Sequence, residues 1–208
     1  GRHVGHEVAE VALTGNFDSS GREVEVAVVC VDVIGSTALA ARQAPTAVVE
    51  LLNEFFTVVV DEVDKRRGLI NKFEGDAALA VFGAPAPVAD ARTAALASAR
   101  AIATRLAAEV PGVAAGLGVS FGTAIAGNIG AHQRYEYTVI GDSVNEAARL
   151  SEQAKLIDGH TVASGAALDG ATAEEQARWR GVGSVELRGR AAPTRLFVPR
   201  PEPTTDVN

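Results

Sequence analysis

Asp32 closes the apolar run EVEVAVVCVDV and Asp76 opens DAALAVF, so two carboxylates stand at the ends of segments that read as strands. A sheet pairing those strands as neighbours brings the carboxylates together, where they repel. A divalent cation relieves the repulsion, and two protein oxygens plus substrate phosphates are a common way of holding Mg²⁺. Just after Asp32, VIGST leads from strand into helix and offers backbone N–H groups beside a helix N-terminus, a cradle for an anion. It is not a P-loop, because G-x-x-x-x-G-K-[ST] occurs nowhere in the chain. Lys72 precedes Asp76 in NKFEGDAALAVFG, so opposite charges flank a glycine turn. Farther on, in GDSVNEAARL, Asn145 and Arg149 share a helix face, and a guanidinium fork is what a transferring phosphoryl group needs. Each feature alone has an ordinary explanation: unrelated strand-end aspartates, a solvated hairpin tip, a glycine turn, an exposed polar pair.

These side chains need a scaffold, and its elements are readable. The first strand alternates early and then becomes continuously apolar, as a strand entering a buried sheet does. Val48, Leu51, Leu52, Phe55, Phe56, Val59 and Val63 follow helical spacing, and Gly68 stops the helix. Residues 69–73 and 76–82 read as a hairpin, and 88–109 as an Ala-rich helix with Ala95, Ala99, Ile102 and Leu106 on one face. The glycine-laced strand GVAAGLGVSFGTAIAGNIG completes the order strand, helix, strand, strand, helix, strand. That order specifies an α+β fold: a ferredoxin-like split βαβ core, mostly antiparallel, with helices on one sheet face. A strand at 135–140, a helix at 142–156 and smaller elements through SVELRG and TRLFVP add a C-terminal αβ extension.

Residues 1–20 read as a leading helix, with Val4, Val8 and Val11 at helical spacing, followed by a linker; residues 21–198 form the main domain and 199–208 a polar tail. The chain of 208 residues, 47% hydrophobic, can bury a substantial core. Its net charge of −7 disfavours nucleic acid as a partner. Cys30, the single cysteine, rules out an internal disulfide and fits a reducing compartment. The apolar runs are shorter than the roughly 18 residues of a membrane span. The lack of Met and the Gly1 start read as a fragment of a longer protein.

Taken together and in this order, VCVDVIGST, NKFEGDAALAVFG and YTVIGDSVNEAARL, with FGTAIAGNIG between the last two, resemble the bacterial class III nucleotidyl cyclases. The resemblance covers residues 24–198. It implies an adenylyl cyclase: the ribose 3′-oxygen of ATP attacks the α-phosphate in line, giving 3′,5′-cyclic AMP and pyrophosphate. Asp32, Asp76 and the backbone carbonyl of Val33 are then the ligands of two divalent cations, Mg²⁺ or Mn²⁺. Amides of Ile34, Gly35, Ser36 and Thr37 hold the triphosphate, Lys72 reads the base, Asn145 orients the ribose and Arg149 neutralises charge on the α-phosphate. The resemblance also implies a head-to-tail homodimer in which Lys72 and Asp76 of one chain serve different sites.

Two positions depart from the commoner pattern. Thr138 stands where many relatives have a purine-reading Asp, as in one bacterial and bicarbonate-responsive subgroup, and Ser36 replaces a frequent aromatic residue. A Thr hydroxyl both donates and accepts, so base selectivity rests more on Lys72, whose donor suits adenine N1 and opposes the N1–H of guanine. Arg188 in ELRGR sits where relatives often place a phosphate-contacting cation, and His132 and Arg134 fall in a loop suited to a dimer arm. The leading helix resembles the relay below a HAMP-type signalling module, which implies a cytoplasmic domain of a membrane-anchored parent. Guanylyl cyclase activity, a catalytically silent nucleotide-binding regulator and a polymerase-like palm are the rivals; the palm needs a basic channel that this acidic chain lacks.

Overall fold

The computed structural model describes residues 21–131, 134–190 and 192–201. The leading segment 1–20, His132 and the tail beyond residue 201 lie outside the described residues. β1 (Arg22–Val33) is buried without a break from Val26 to Val31. Successive side chains point to opposite faces, so Ala27, Val29, Val31 and Val33 enter one core while Val26, Val28 and Cys30 enter another. A strand buried on both faces belongs in the middle of a sheet, and β1 has a partner on each side.

A short α1 (Ser36–Arg42) and the long α2 (Pro45–Asp64) follow, then the hairpin of β2 (Leu69–Glu74) and β3 (Ala77–Phe82). Gly75 takes φ +65° at the hairpin tip, a left-handed conformation that favours glycine. α3 (Ala91–Glu109) starts three residues later than its hydrophobic pattern suggests, because the Asp90 side chain accepts from the Thr93 amide at 3.0 Å and caps it there. Next come β4 (Ala115–Ala131), β5 (Arg134–Ile140) and α4 (Asp142–Ala154). The extension adds β6 (Thr161–Ser164), α5 (Gly165–Asp169), α6 (Ala173–Ala177), β7 (Trp179–Val185) and β8 (Thr194–Pro199). Only the first two residues of SVELRG are strand: β7, WRGVGSV, ends at Val185, and the chain then leaves the sheet for a turn at Arg188 and Gly189.

All eight strands share one sheet, ordered β2-β3-β1-β4-β6-β8-β7, with β5 also on β4. Among the described residues only the pairing of β4 with β6 is parallel, so the mixed α+β fold with a mostly antiparallel sheet is as the sequence indicates. One expectation changes. α2 and α3 cover one face, with Phe55, Val59, Leu96 and Ile102 fully buried against it, but α4 packs on the other, where Ala147 joins Val26, Val28 and Cys30. Gly116 and Gly118 make that possible: a Cβ at either would meet the α4 backbone carbonyls of Ser151 at 2.3 Å or Ala147 at 2.2 Å. The glycines laced through β4 are the seat of a helix.

Candidate active site

β1 pairs with β3 in antiparallel register, Asp32 opposite Ala77. Asp76 is the residue before Ala77, and the Val33 amide donates to the Asp76 carbonyl at 3.4 Å. Asp32 and Asp76 are thus carried to one end of the sheet by neighbouring strands. Burial pushes the Asp32 carboxyl above its ordinary range and the charge of Asp76 adds to the rise, with Lys155 offsetting part of it. Lys155, one residue past α4, places Nζ 2.7 Å from Asp32 and 2.7 Å from Glu152. Burial alone would lower the Lys155 ammonium; the hydrogen bonds to the two carboxylates outweigh it and hold it charged to higher pH.

Two hard carboxylates and a neighbouring carbonyl suit Mg²⁺ or Mn²⁺. No group of three or more His, Cys, Asp or Glu gathers among the described residues. Further ligands would therefore come from water and from phosphate oxygens, which fits a cation that arrives with its substrate.

At the start of α1 the structure narrows the anion cradle. The Ile34 amide donates to the Ala114 carbonyl at 2.7 Å, because β1 and the chain before β4 still run side by side there. It cannot also hold a phosphate. The amides of Gly35, Ser36 and Thr37 stand at a helix end that no side chain caps, and Gly35 turns the chain with φ +70°.

Lys72 lies on β2 opposite Leu79 and pairs with Glu74 at 2.7 Å. Thr138 lies on β5 opposite Gly127. These two strands approach each other through the neighbouring residues, where Asn71 Nδ2 donates to the Tyr137 carbonyl at 3.2 Å. The register slips between Ile70 and Lys72, making Asn71 the residue of a bulge. The structure thus brings the Lys72 and Thr138 strands together at one edge, a link without a motif in the sequence.

Asn145 and Arg149 share a face of α4, but that face does not look toward Asp32 of the same chain. Ser151 is the helix residue turned to the sheet, its Oγ 3.5 Å from Cys30 Sγ. Arg149 is two residues away, about 200° around the helix. Asn145 lies ten residues before Lys155, about 15 Å along the axis at 1.5 Å per residue. Within one chain the carboxylate pair and the Asn145–Arg149 pair are therefore set apart. The Arg149 guanidinium rests beside Gly189, where a Cβ would lie 3.7 Å from Nη2. Arg188 next to it is exposed.

Residues 19–199 match the family model described as the adenylate and guanylate cyclase catalytic domain. Two uncharacterized proteins of Mycobacterium tuberculosis (strain H37Rv), Rv1318c and Rv1320c, are 54% and 55% identical over 199 residues, 96% of this chain. The chain spans only 37% and 35% of their lengths. Among solved structures, a bacterial light-regulated adenylyl cyclase is similar with a TM-score of 0.80 at 22% identity, over 93% of this chain and 56% of that one. The adenylyl cyclase CyaB from P. aeruginosa gives 0.78 at 22% identity, over 88% and 97% of the two chains. The guanylyl cyclase Cya2 gives 0.74 at 24% identity, over 89% and 98%. At such identities these structures speak for the fold.

Proposed function

Because the chain belongs to the adenylate and guanylate cyclase catalytic domain family, we propose that it converts ATP to 3′,5′-cyclic AMP and pyrophosphate in cyclic nucleotide signalling. The observation that carries this reading is the β1–β3 register, which sets Asp32 beside Asp76 at the strand ends next to the uncapped α1. The proposed site residues take the following parts. Asp32, Asp76 and the Val33 carbonyl would hold Mg²⁺ or Mn²⁺. Amides of Gly35, Ser36 and Thr37 orient the triphosphate, Asn145 orients the ribose, and Lys72 with Thr138 reads the base. The 3′-oxygen attacks the α-phosphorus as its proton passes to water or to the Asp32 carboxylate, and the bond from that phosphorus to the oxygen bridging to the β-phosphate breaks, releasing pyrophosphate. Arg149 takes up negative charge that builds on the α-phosphate oxygens. Bound divalent cations supply charge neutralisation and ease ionisation of the 3′-hydroxyl.

Each active site is proposed to be shared between two copies of the chain. Support comes from α4, whose Asn145–Arg149 face looks away from the chain's own Asp32. Further support is apolar surface left open on β4 and β5, where Ile129 is 47% and Ile140 52% exposed. An upstream HAMP-type sensor and a membrane anchor in the full-length parent remain part of the proposal; no helix among the described residues is itself long and apolar enough to cross a membrane.

Base choice is tested by product analysis. Incubation with ATP or GTP and Mn²⁺ or Mg²⁺ is expected to yield cyclic AMP in preference to cyclic GMP, and a chelator to abolish the reaction. Lys72→Glu should reduce ATP turnover more than GTP turnover. Preference for GTP would make the chain a guanylyl cyclase, and no product from either nucleotide by a demonstrated dimer would make it a silent regulator.

A further inference from the structure

Glu146 sits between Asn145 and Ala147 on α4 and is only 3% exposed. A carboxylate so buried needs partners. It has two: an ion pair with Arg190, and the Thr194 hydroxyl, which donates to it at 3.0 Å. The same Arg190 guanidinium also pairs with Asp142 at 3.2 Å. One side chain thereby ties two successive turns of α4 to the segment that joins β7 to β8.

That segment is the one against which Arg149 rests. The Arg190 amide donates to the Leu187 carbonyl at 3.1 Å, closing a tight turn, and Leu187 is buried beneath it. Gly189 takes φ +82° within the turn and lies beside the Arg149 guanidinium. Glu146 and Arg149 are three residues apart and so neighbours on the helix surface, as Arg190 and Gly189 are neighbours in the turn. A cavity of about 480 Å³ opens against Asp142, Glu146, Gly189, Arg190 and Thr194. On that side the turn is held by charge and not by packing.

We infer that Glu146 and Arg190 are positioning residues for Arg149: their ion pair fixes the turn whose Gly189 is the wall for the Arg149 guanidinium. This rests on the proposed role of Arg149 at the α-phosphate. A buried ion pair contributes little net stability compared with an apolar pair of the same size. What it supplies here is a fixed geometry for a long side chain that has many rotamers, and a displacement of about 1 Å at such a group costs up to about a hundredfold in rate.

The test is a cycle of four homodimers assayed for cyclic AMP with ATP and Mn²⁺: wild type, Arg190→Gln, Arg149→Lys and the double variant. Arg190→Gln is expected to lower kcat by about tenfold or more while leaving KM for ATP within about twofold. In the Arg149→Lys background the same change should cost less than about twofold, since the group being positioned is already lost. An equal fold loss in both backgrounds would overturn the inference and leave Arg190 a fold staple. If Arg149→Lys alone leaves kcat unchanged, the proposed role of Arg149 falls and the inference falls with it, a result separable from the first. Glu146→Gln keeps an acceptor for Thr194 and repeats the cycle should Arg190→Gln not fold, with thermal melts to count the folded fraction. Its kcat per folded dimer should fall in the same non-additive way, and a change in melting temperature with kcat intact would overturn the proposal.

Discussion

Lys155 is the cation that Asp32 has when no metal is near. Its ammonium bridges Asp32 and Glu152, both at 2.7 Å, with about a fifth of the Asp32 and Lys155 side chains open to solvent. A divalent ion entering at Asp32 and Asp76 must displace it, so part of the metal's binding energy goes into breaking the pair. Lys155→Gln is therefore expected to tighten Mn²⁺ binding by about threefold, the scale of a partly exposed ion pair, as read from the free Mn²⁺ signal in electron paramagnetic resonance. Unchanged or weaker binding would mean that Lys155 does not compete with the metal. The carboxylate pair was legible in the sequence because strand ends can be read from apolar runs. Lys155 was not: it lies outside every motif, and it reaches Asp32 only because α4 crosses the sheet over Gly116 and Gly118. Glu146 and Arg190 lie within GDSVNEAARL and ELRGR, but their pairing was hidden, because they are 44 positions apart in sequence and joined only by the fold. The Ile34 amide shows the opposite error, where a motif implied a phosphate contact and a long-range backbone bond to Ala114 takes the amide.

At the scale of elements, α2 and α3 are locked together by charge as well as by packing. Glu62 of α2 is 3% exposed and receives Lys65, Arg66 and Arg105 of α3 at 2.6–2.9 Å. Burial alone would raise its carboxyl, but the three cations prevail and hold it at about 2, against an ordinary 4.5. A folded-state value below the unfolded one means stability that is fully present above about pH 4.5 and lost as pH falls toward about 2. Glu62→Gln should cost about 3 kcal/mol near neutrality, as breaking one partner of a buried ion pair does. In urea melts the gap between wild type and variant should shrink markedly at about pH 3; an equal gap at both pH values would show that the charge of Glu62 is not what matters. The elements themselves were mostly legible, because α2, α3 and the β2–β3 hairpin announce themselves by period. The placement of α4 on the opposite face was not, since periodicity gives a helix its apolar side without saying which face of the sheet receives it. The glycines of β4 carried that information, but only as missing side chains.

At the scale of the molecule, the proposed chemistry needs two chains. Asp32 and Asp76 sit at one end of the sheet, while Asn145 and Arg149 face outward from α4 about 15 Å and about 9 Å along the helix from the lysine that touches Asp32. In the proposed homodimer a partner related by a two-fold axis would bring the missing half to each site, and symmetry would then make two equivalent composite sites. Asp32→Ala homodimers and Arg149→Ala homodimers should each be nearly inactive, with both of their sites damaged. The most direct measurement mixes them at equal concentration, above the dimer dissociation constant, and follows cyclic AMP formation. In a mixed dimer one site collects both lesions and the other neither. Unbiased exchange makes about half of all dimers mixed, each with one working site of two, so activity should return to about a quarter of wild type. No recovery despite demonstrated subunit exchange would mean that the sites are built within single chains, contrary to this account.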